Sequence, residues 1–169
     1  PKTPKPRKND FSGLFYNKAV FEDNGWTPPK TIPELHTLAD KMMAKGIVPF
    51  GSGNSGWRPA NEWQVSIALN SIAGPDNVQK ALTGEIPWTS QPFVEAINEL
   101  DSWWDKGYFG PDYFSLNGEQ VMANLAEGTA AMSPTGSWNF GLVPEYFKDR
   151  QDEVGFVGFP SGKGVPYPI

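Results

Sequence analysis

The sequence predicts an α/β fold, helix-rich, with a small sheet flanked by many helices. Three observations carry this. Hydrophobic patterns along the 169 residues run strand, helix, strand, several helices, strand, helix, strand. A capping box followed by an apolar stripe marks the first long helix. Two predicted strands each lead through a glycine-bearing loop to a tryptophan, Trp57 and Trp138. A chain of this length buries one good core.

Residues 1–10 place Pro among Lys and Arg and read as extended chain. Leu14-Phe15-Tyr16 are good β formers and make a short strand over 13–17. A brief helix over 18–24 stops at Gly25, and Pro28-Pro29 then holds the backbone extended. Thr31 is an N-cap, Pro33 lies in the first turn, and Glu34 reaches back to close a capping box. Behind them Leu35, Leu38, Ala39, Met42 and Met43 form the apolar stripe of a helix ended by Gly46.

Residues 47–50 read as a strand, which Pro49 places at an edge or strand end. A Gly/Ser/Asn loop over 51–56 delivers Trp57. Apolar residues on two sides of 59–72 predict a central helix, and a short one follows over 76–82. Ser90 caps a long helix whose core spacing is Phe93, Ile97, Leu100 and Trp104, ending at Gly107. A helix over 119–127 stops at Gly128, and Ala130-Ala131-Met132 make a small-residue strand. A helix over 139–148 and a strand over 154–159 complete the order.

Composition narrows function. Net charge is −5, and four of the 14 basic residues (Lys2, Lys5, Arg7, Lys8) crowd the first eight positions. The remainder is more acidic still, which argues against nucleic acid as a partner. The basic start reads as solvated chain. No cysteine is present, so disulfides and thiol chemistry are excluded. No run of about 18 apolar residues marks a membrane span. His36 is the single histidine, which excludes a His-based metal cluster, and it reads as a surface residue.

Aromatics are the outlier: seven Trp, five Tyr and eleven Phe. Most serve the core, but seven Trp exceed core need and some line a ligand surface. Trp57 has Asn54, Ser55, Arg58, Asn61 and Glu62 beside it, and Trp138 has Ser137 and Asn139. A flat ring flanked by amides, hydroxyls and a charge suits a polyol, whose C–H face stacks while its hydroxyls hydrogen-bond. The candidate ligand residues are therefore Trp57, Trp138, Arg58, Asn61, Glu62, Ser137 and Asn139. Trp63, further along its helix, reads as buried. Carboxylates recur at i, i+4 as Glu95/Glu99 and Asp101/Asp105, a spacing that fits a solvent-facing helix surface better than a glycosidase pair. No catalytic residue, metal site or cofactor is expected.

Gly128-Thr129-Ala130-Ala131-Met132, followed by Gly136-Ser137-Trp138, resembles the "G-x-A-A-M … G-x-W" signature of extracytoplasmic solute-binding proteins of carbohydrate ABC transporters. Leu14-Phe15-Tyr16-Asn17-Lys18, with Pro28-Pro29-Lys30-Thr31 and Glu34-Leu35, is similar to a second signature of that family and lies in the right order. The resemblance implies a periplasmic-binding-protein-like lobe over 11–169, part of the second lobe of a two-lobed protein, after an extended segment over 1–10. It implies that Trp57 and Trp138 face an interlobe cleft, with Asn17 a lesser candidate. It further implies a mono- or oligosaccharide ligand, ABC permease subunits as partners, and an extracytoplasmic location. Membrane contact would come only through the permease or a lipid anchor of the full-length protein. Two rival readings of the residues are a carbohydrate-active enzyme domain, with Glu62 as its carboxylate, and an aromatic-rich module that meets another protein.

Overall fold

A computed structural model describes residues 11–56 and 59–161, with no side chain described over 57–62. The segment 1–10 lies outside the described residues. Four strands form one sheet in the order β2-β3-β1-β4: β1 (Ser12–Asn17), β2 (Val48–Phe50), β3 (Ala130–Gly136) and β4 (Val154–Val157). β2 and β3 run parallel, with Phe50 opposite Met132. β1 is antiparallel to both β3 and β4, with Phe15 opposite Ser133 on one side and Phe156 on the other. Among the described residues the seven α-helices are α1 (Lys18–Asn24), α2 (Ile32–Ala44), α3 (Pro59–Ala68), α4 (Pro75–Leu82), α5 (Gln91–Asp105), α6 (Gly118–Glu127) and α7 (Val143–Phe147). The predicted α/β class, a small sheet among many helices, is the observed one.

Alternation along β1 organises the layers, because successive side chains leave a strand on opposite faces. Leu14 packs with Leu35 and Met42 of α2, Ile67 of α3 and Trp103 of α5. Phe15 packs with Met122 and Leu125 of α6 and with Val143 and Phe147 of α7. Helices thus cover both faces of the sheet. β3, fully buried, sits between β2 and β1, and its small residues let the covering helices approach.

Pro134 is tolerated in this central strand for a geometric reason. Met132 accepts from the Gly51 N–H at 2.7 Å, so its polar groups face β2. Pro134, two residues on, faces the same way, but β2 ends at Phe50 and asks no bond of it.

Local signals hold where a residue type forces the backbone. Gly25 ends α1 at φ +64, and the Thr31 hydroxyl accepts from the Glu34 N–H at 3.3 Å to start α2. The Glu34 carboxylate, however, accepts from the Lys30 N–H at 2.8 Å and not from Thr31, so the capping box is shifted by one residue. Pro49 lies in an edge strand, as expected.

Four expectations need correction. The helix predicted over 59–72 becomes a π turn over Leu69–Ala73 after α3. On α5 the buried residues are Phe93, Ala96, Leu100 and Trp103. Ile97 is 46% exposed. Three turns of α5 offer two adjacent apolar residues (Phe93/Val94, Ala96/Ile97 and Trp103/Trp104), and the small Ala96 permits the closer approach to Ala73 and Ala81. The helix predicted over 139–148 is a 3₁₀ turn (Ser137–Leu142), then α7, then another 3₁₀ turn (Lys148–Glu153). Pro144 restarts the helix in its first turn, and Lys148 at φ +55 stops it.

The fourth concerns His36, which is half-buried rather than a surface residue. Its Nδ1 lies 2.9 Å from the Tyr108 hydroxyl and 3.0 Å from Lys106 Nζ, and its Nε2 lies 2.6 Å from Glu99 Oε1. Glu99 also accepts from the Trp103 indole N–H at 2.6 Å, and Tyr108 donates to Asp40 at 3.0 Å. This network ties α2 to α5 and the loop after it.

Two predictions follow from these contacts. Asn17 is buried, accepts from the Val20 N–H at 3.2 Å and donates to the Leu125 carbonyl at 2.9 Å, so it caps α1 and anchors α6 and does not face a cleft. Asn17→Ala should lower stability by about 1–2 kcal/mol, read as a reduced urea midpoint; an unchanged midpoint would contradict the anchoring role. Burial first, then the hydrogen bond and charge of Asp40 and the charge of Glu99, push the Tyr108 phenol well above its ordinary value of 10.0. A raised folded-state value contributes stability that is complete below pH 10 and declines as pH rises beyond it. Denaturation at pH 8 and pH 11 should show that decline, and Tyr108→Phe should make it shallower.

Candidate ligand-binding site

Because β2 and β3 are parallel, the loops leaving their carboxyl ends emerge at the same end of the sheet. Ligands of open α/β sheets bind outside such ends. Both tryptophan-bearing segments singled out in the sequence start here.

The first segment, 51–56, is stitched in place by backbone bonds. Asn54 N–H donates to the Tyr113 carbonyl at 2.8 Å, and Ser55 N–H to that of Leu116 at 2.9 Å. Gly53 is required by contact: a Cβ there would overlap the Leu116 backbone. Ser52 is buried and accepts from Gln64 Nε2 at 2.7 Å, while Gln64 Oε1 accepts from the Tyr113 hydroxyl at 3.3 Å. Burial raises the Tyr113 phenol above its ordinary value, so it stays a neutral donor. These bonds seat α3 against the loop. Asn54 Oδ1 is buried and has no hydrogen-bond partner among the described residues.

The second segment leaves β3 at Gly136. Ser137 N–H donates to the Phe11 carbonyl at 2.9 Å, and the Ser137 hydroxyl accepts from the Phe11 N–H at 3.2 Å. The Trp138 ring folds back over Gly136, where any Cβ would land within the indole. Its other neighbour is Trp63 of α3, with ring centroids 4.4 Å apart and planes at 51°. Trp138 is 9% exposed, and its indole N–H is buried without a partner among the described residues. Asn139 is half-buried and donates to the Thr135 hydroxyl at 3.0 Å.

Of the sequence candidates, Trp138, Ser137 and Asn139 therefore come together at the end of β3, where Ser137 and Asn139 already hold the local chain. Trp57 and Arg58 lie outside the described residues, as do the side chains of Asn61 and Glu62. Trp63 is half-buried and forms the ring pair with Trp138. Helical position alone favoured its burial, and only the fold of Trp138 over Gly136 shows what it meets. Asn54 was legible only as a neighbour of Trp57. On α5, Glu95, Asp101 and Asp105 are exposed as expected, whereas Glu99 is half-buried in the His36 network. Among the described residues no three His, Asp or Glu side chains cluster as a metal site, and no helix is long and apolar enough to cross a membrane.

The whole chain, residues 1–169, matches the family described as bacterial extracellular solute-binding protein. Over 156 residues it is 29% identical to an ABC transporter extracellular-binding protein of Pyrococcus horikoshii, covering 90% of this chain and 34% of that protein. Over 166 residues it is 30% identical to the alpha-glucosides-binding periplasmic protein AglE of Rhizobium meliloti, covering 95% of this chain and 34% of that one. The chain thus spans about a third of the length of these curated relatives. A solved chitin oligosaccharide binding protein superposes with a TM-score of 0.79 at 27% identity, covering 92% of this chain and 39% of its own. Fold, signature order and full-length match agree: the chain belongs to the bacterial extracellular solute-binding protein family.

Proposed function

We propose that this chain forms one lobe, over 11–169, of a two-lobed receptor that captures a carbohydrate and delivers it to an ABC-importer permease. The observation that carries the reading is the end of β3, where the Trp138 indole is pinned over Gly136 with a buried N–H that has no partner among the described residues. A buried donor left unpaired costs about 1–3 kcal/mol, and a sugar hydroxyl at that atom would remove the cost. The unpaired Asn54 Oδ1, on the neighbouring loop, offers an acceptor to a second hydroxyl. The half-buried Trp63 ring, held in place by Trp138, supplies an apolar face for the C–H side of a pyranose.

The relatives favour the same reading, since their names record binding of alpha-glucosides and of chitin oligosaccharide. Ligand capture by closure of two lobes is a known motion of periplasmic binding proteins. No covalent step is involved, and the receptor works outside the cytoplasmic membrane, free or held by a lipid anchor. One lobe supplies half of the cleft, so this chain alone binds sugar weakly.

Titration of the 169-residue chain with glucose, maltose and chitobiose at millimolar concentrations should quench tryptophan fluorescence saturably. Trp138→Ala should weaken that binding at least tenfold or so, as expected for a stacked aromatic anchor, with an unchanged far-UV spectrum. Sugar binding that survives Trp138→Ala would remove that residue from the site, and release of cleaved sugar would replace the receptor reading with an enzymatic one. Gly136→Ala keeps the indole but displaces it, and should weaken binding in the same direction.

A further inference from the structure

A second aromatic pair stands at the same end of the lobe. Phe114 and Trp104 stack at 5.8 Å with planes only 19° apart, and Phe114 is 71% exposed. A ring so exposed is normally free to turn, yet Tyr113 meets it edge-on at 5.1 Å and 90°. Trp104 is itself held by Tyr113 at 4.7 Å and Phe109 at 4.6 Å. The result is a fixed, flat apolar face turned to solvent, with exposed Asp112 and Ser115 beside it.

Its position connects it to the candidate site. The segment bearing Phe114 is bonded to the 51–56 loop through Tyr113 and Leu116, so both lie at the carboxyl ends of β2 and β3. The Tyr113 hydroxyl reaches Gln64, whose neighbour in α3 is Trp63. The two aromatic pairs are thus braced through the interior: Trp63 and Gln64 are consecutive in α3, and buried Gln64 holds buried Tyr113, which meets Phe114 edge-on.

From this shared position beside the 51–56 loop we infer that Trp104 and Phe114 form a second platform, which stacks a distal ring of an oligosaccharide whose first unit lies at Trp138. The inference rests on the carbohydrate reading above and adds chain-length selectivity to it. A flat ring with a carboxylate and a hydroxyl at its margin matches a sugar face and its rim of hydroxyls. A protein partner would demand a wider apolar patch than two rings. Affinity rises once the ligand is long enough to reach Phe114.

The test uses two ladders of one to six units, α-1,4-gluco-oligosaccharides and chito-oligosaccharides, titrated into the 169-residue chain and its Phe114→Ala, Phe114→Tyr and Trp138→Ala variants. Phe114 is surface-exposed, so its truncation leaves the core intact. Phe114→Ala should weaken the longer oligomers roughly three- to tenfold, the value of one stacked ring, and so flatten the length dependence, while Phe114→Tyr keeps it. Trp138→Ala should weaken every length. If binding depends on Trp138 but Phe114→Ala leaves the length dependence intact, the second platform is wrong and the sugar-binding lobe stands. If the unaltered chain binds neither ladder, both readings fall together.

Discussion

Everything in the lobe depends on β3 being paired on both sides while remaining thin. Its antiparallel register with β1 sets which face receives Leu14 and which receives Phe15. Its parallel pairing with β2 brings two loops out at the same end. Ala130 and Ala131 add little bulk, so helices close over both faces of a sheet only four strands wide. A bulkier or shifted β3 would disturb the core and the candidate ligand end together, because one strand specifies both.

The candidate ligand end is framed first by backbone. The 51–56 loop is held by main-chain bonds to 113 and 116, and the start of the next turn by a reciprocal pair between Ser137 and Phe11. Side chains there add local braces, the Ser137 hydroxyl on Phe11, Gln64 on Ser52 and Asn139 on Thr135. Rigid backbone beside polar atoms of Trp138 and Asn54 that lack partners among the described residues is the arrangement a preorganised site would have. It stores no ligand-shaped contact until a ligand supplies the partners.

How much of this was legible in the sequence depends on whether the deciding force was local. Gly25, Gly128, Thr31 and Pro49 act on their own backbone, and the elements they bound appear where the sequence puts them. α5 was misread because adjacent apolar pairs, Ala96/Ile97 and Trp103/Trp104, leave its face undecided until neighbours choose. His36 and Glu99 read as surface charge because their partners lie 63 residues apart in sequence. Trp138 was legible as a special residue through its glycine turn, but its pairing with Trp63 was not. The Phe114 platform left no sequence signal, since an exposed and a buried phenylalanine read alike.

Pro134 has a consequence for how β3 can outlast its neighbour. Beyond Met132 the strand runs on, still buried, past the end of β2, and any other residue there would bury a backbone N–H with no ladder partner in β2. A proline nitrogen carries no hydrogen and makes no such demand. The strand is therefore longer than the strand it pairs with, without the penalty of an orphaned donor inside the protein.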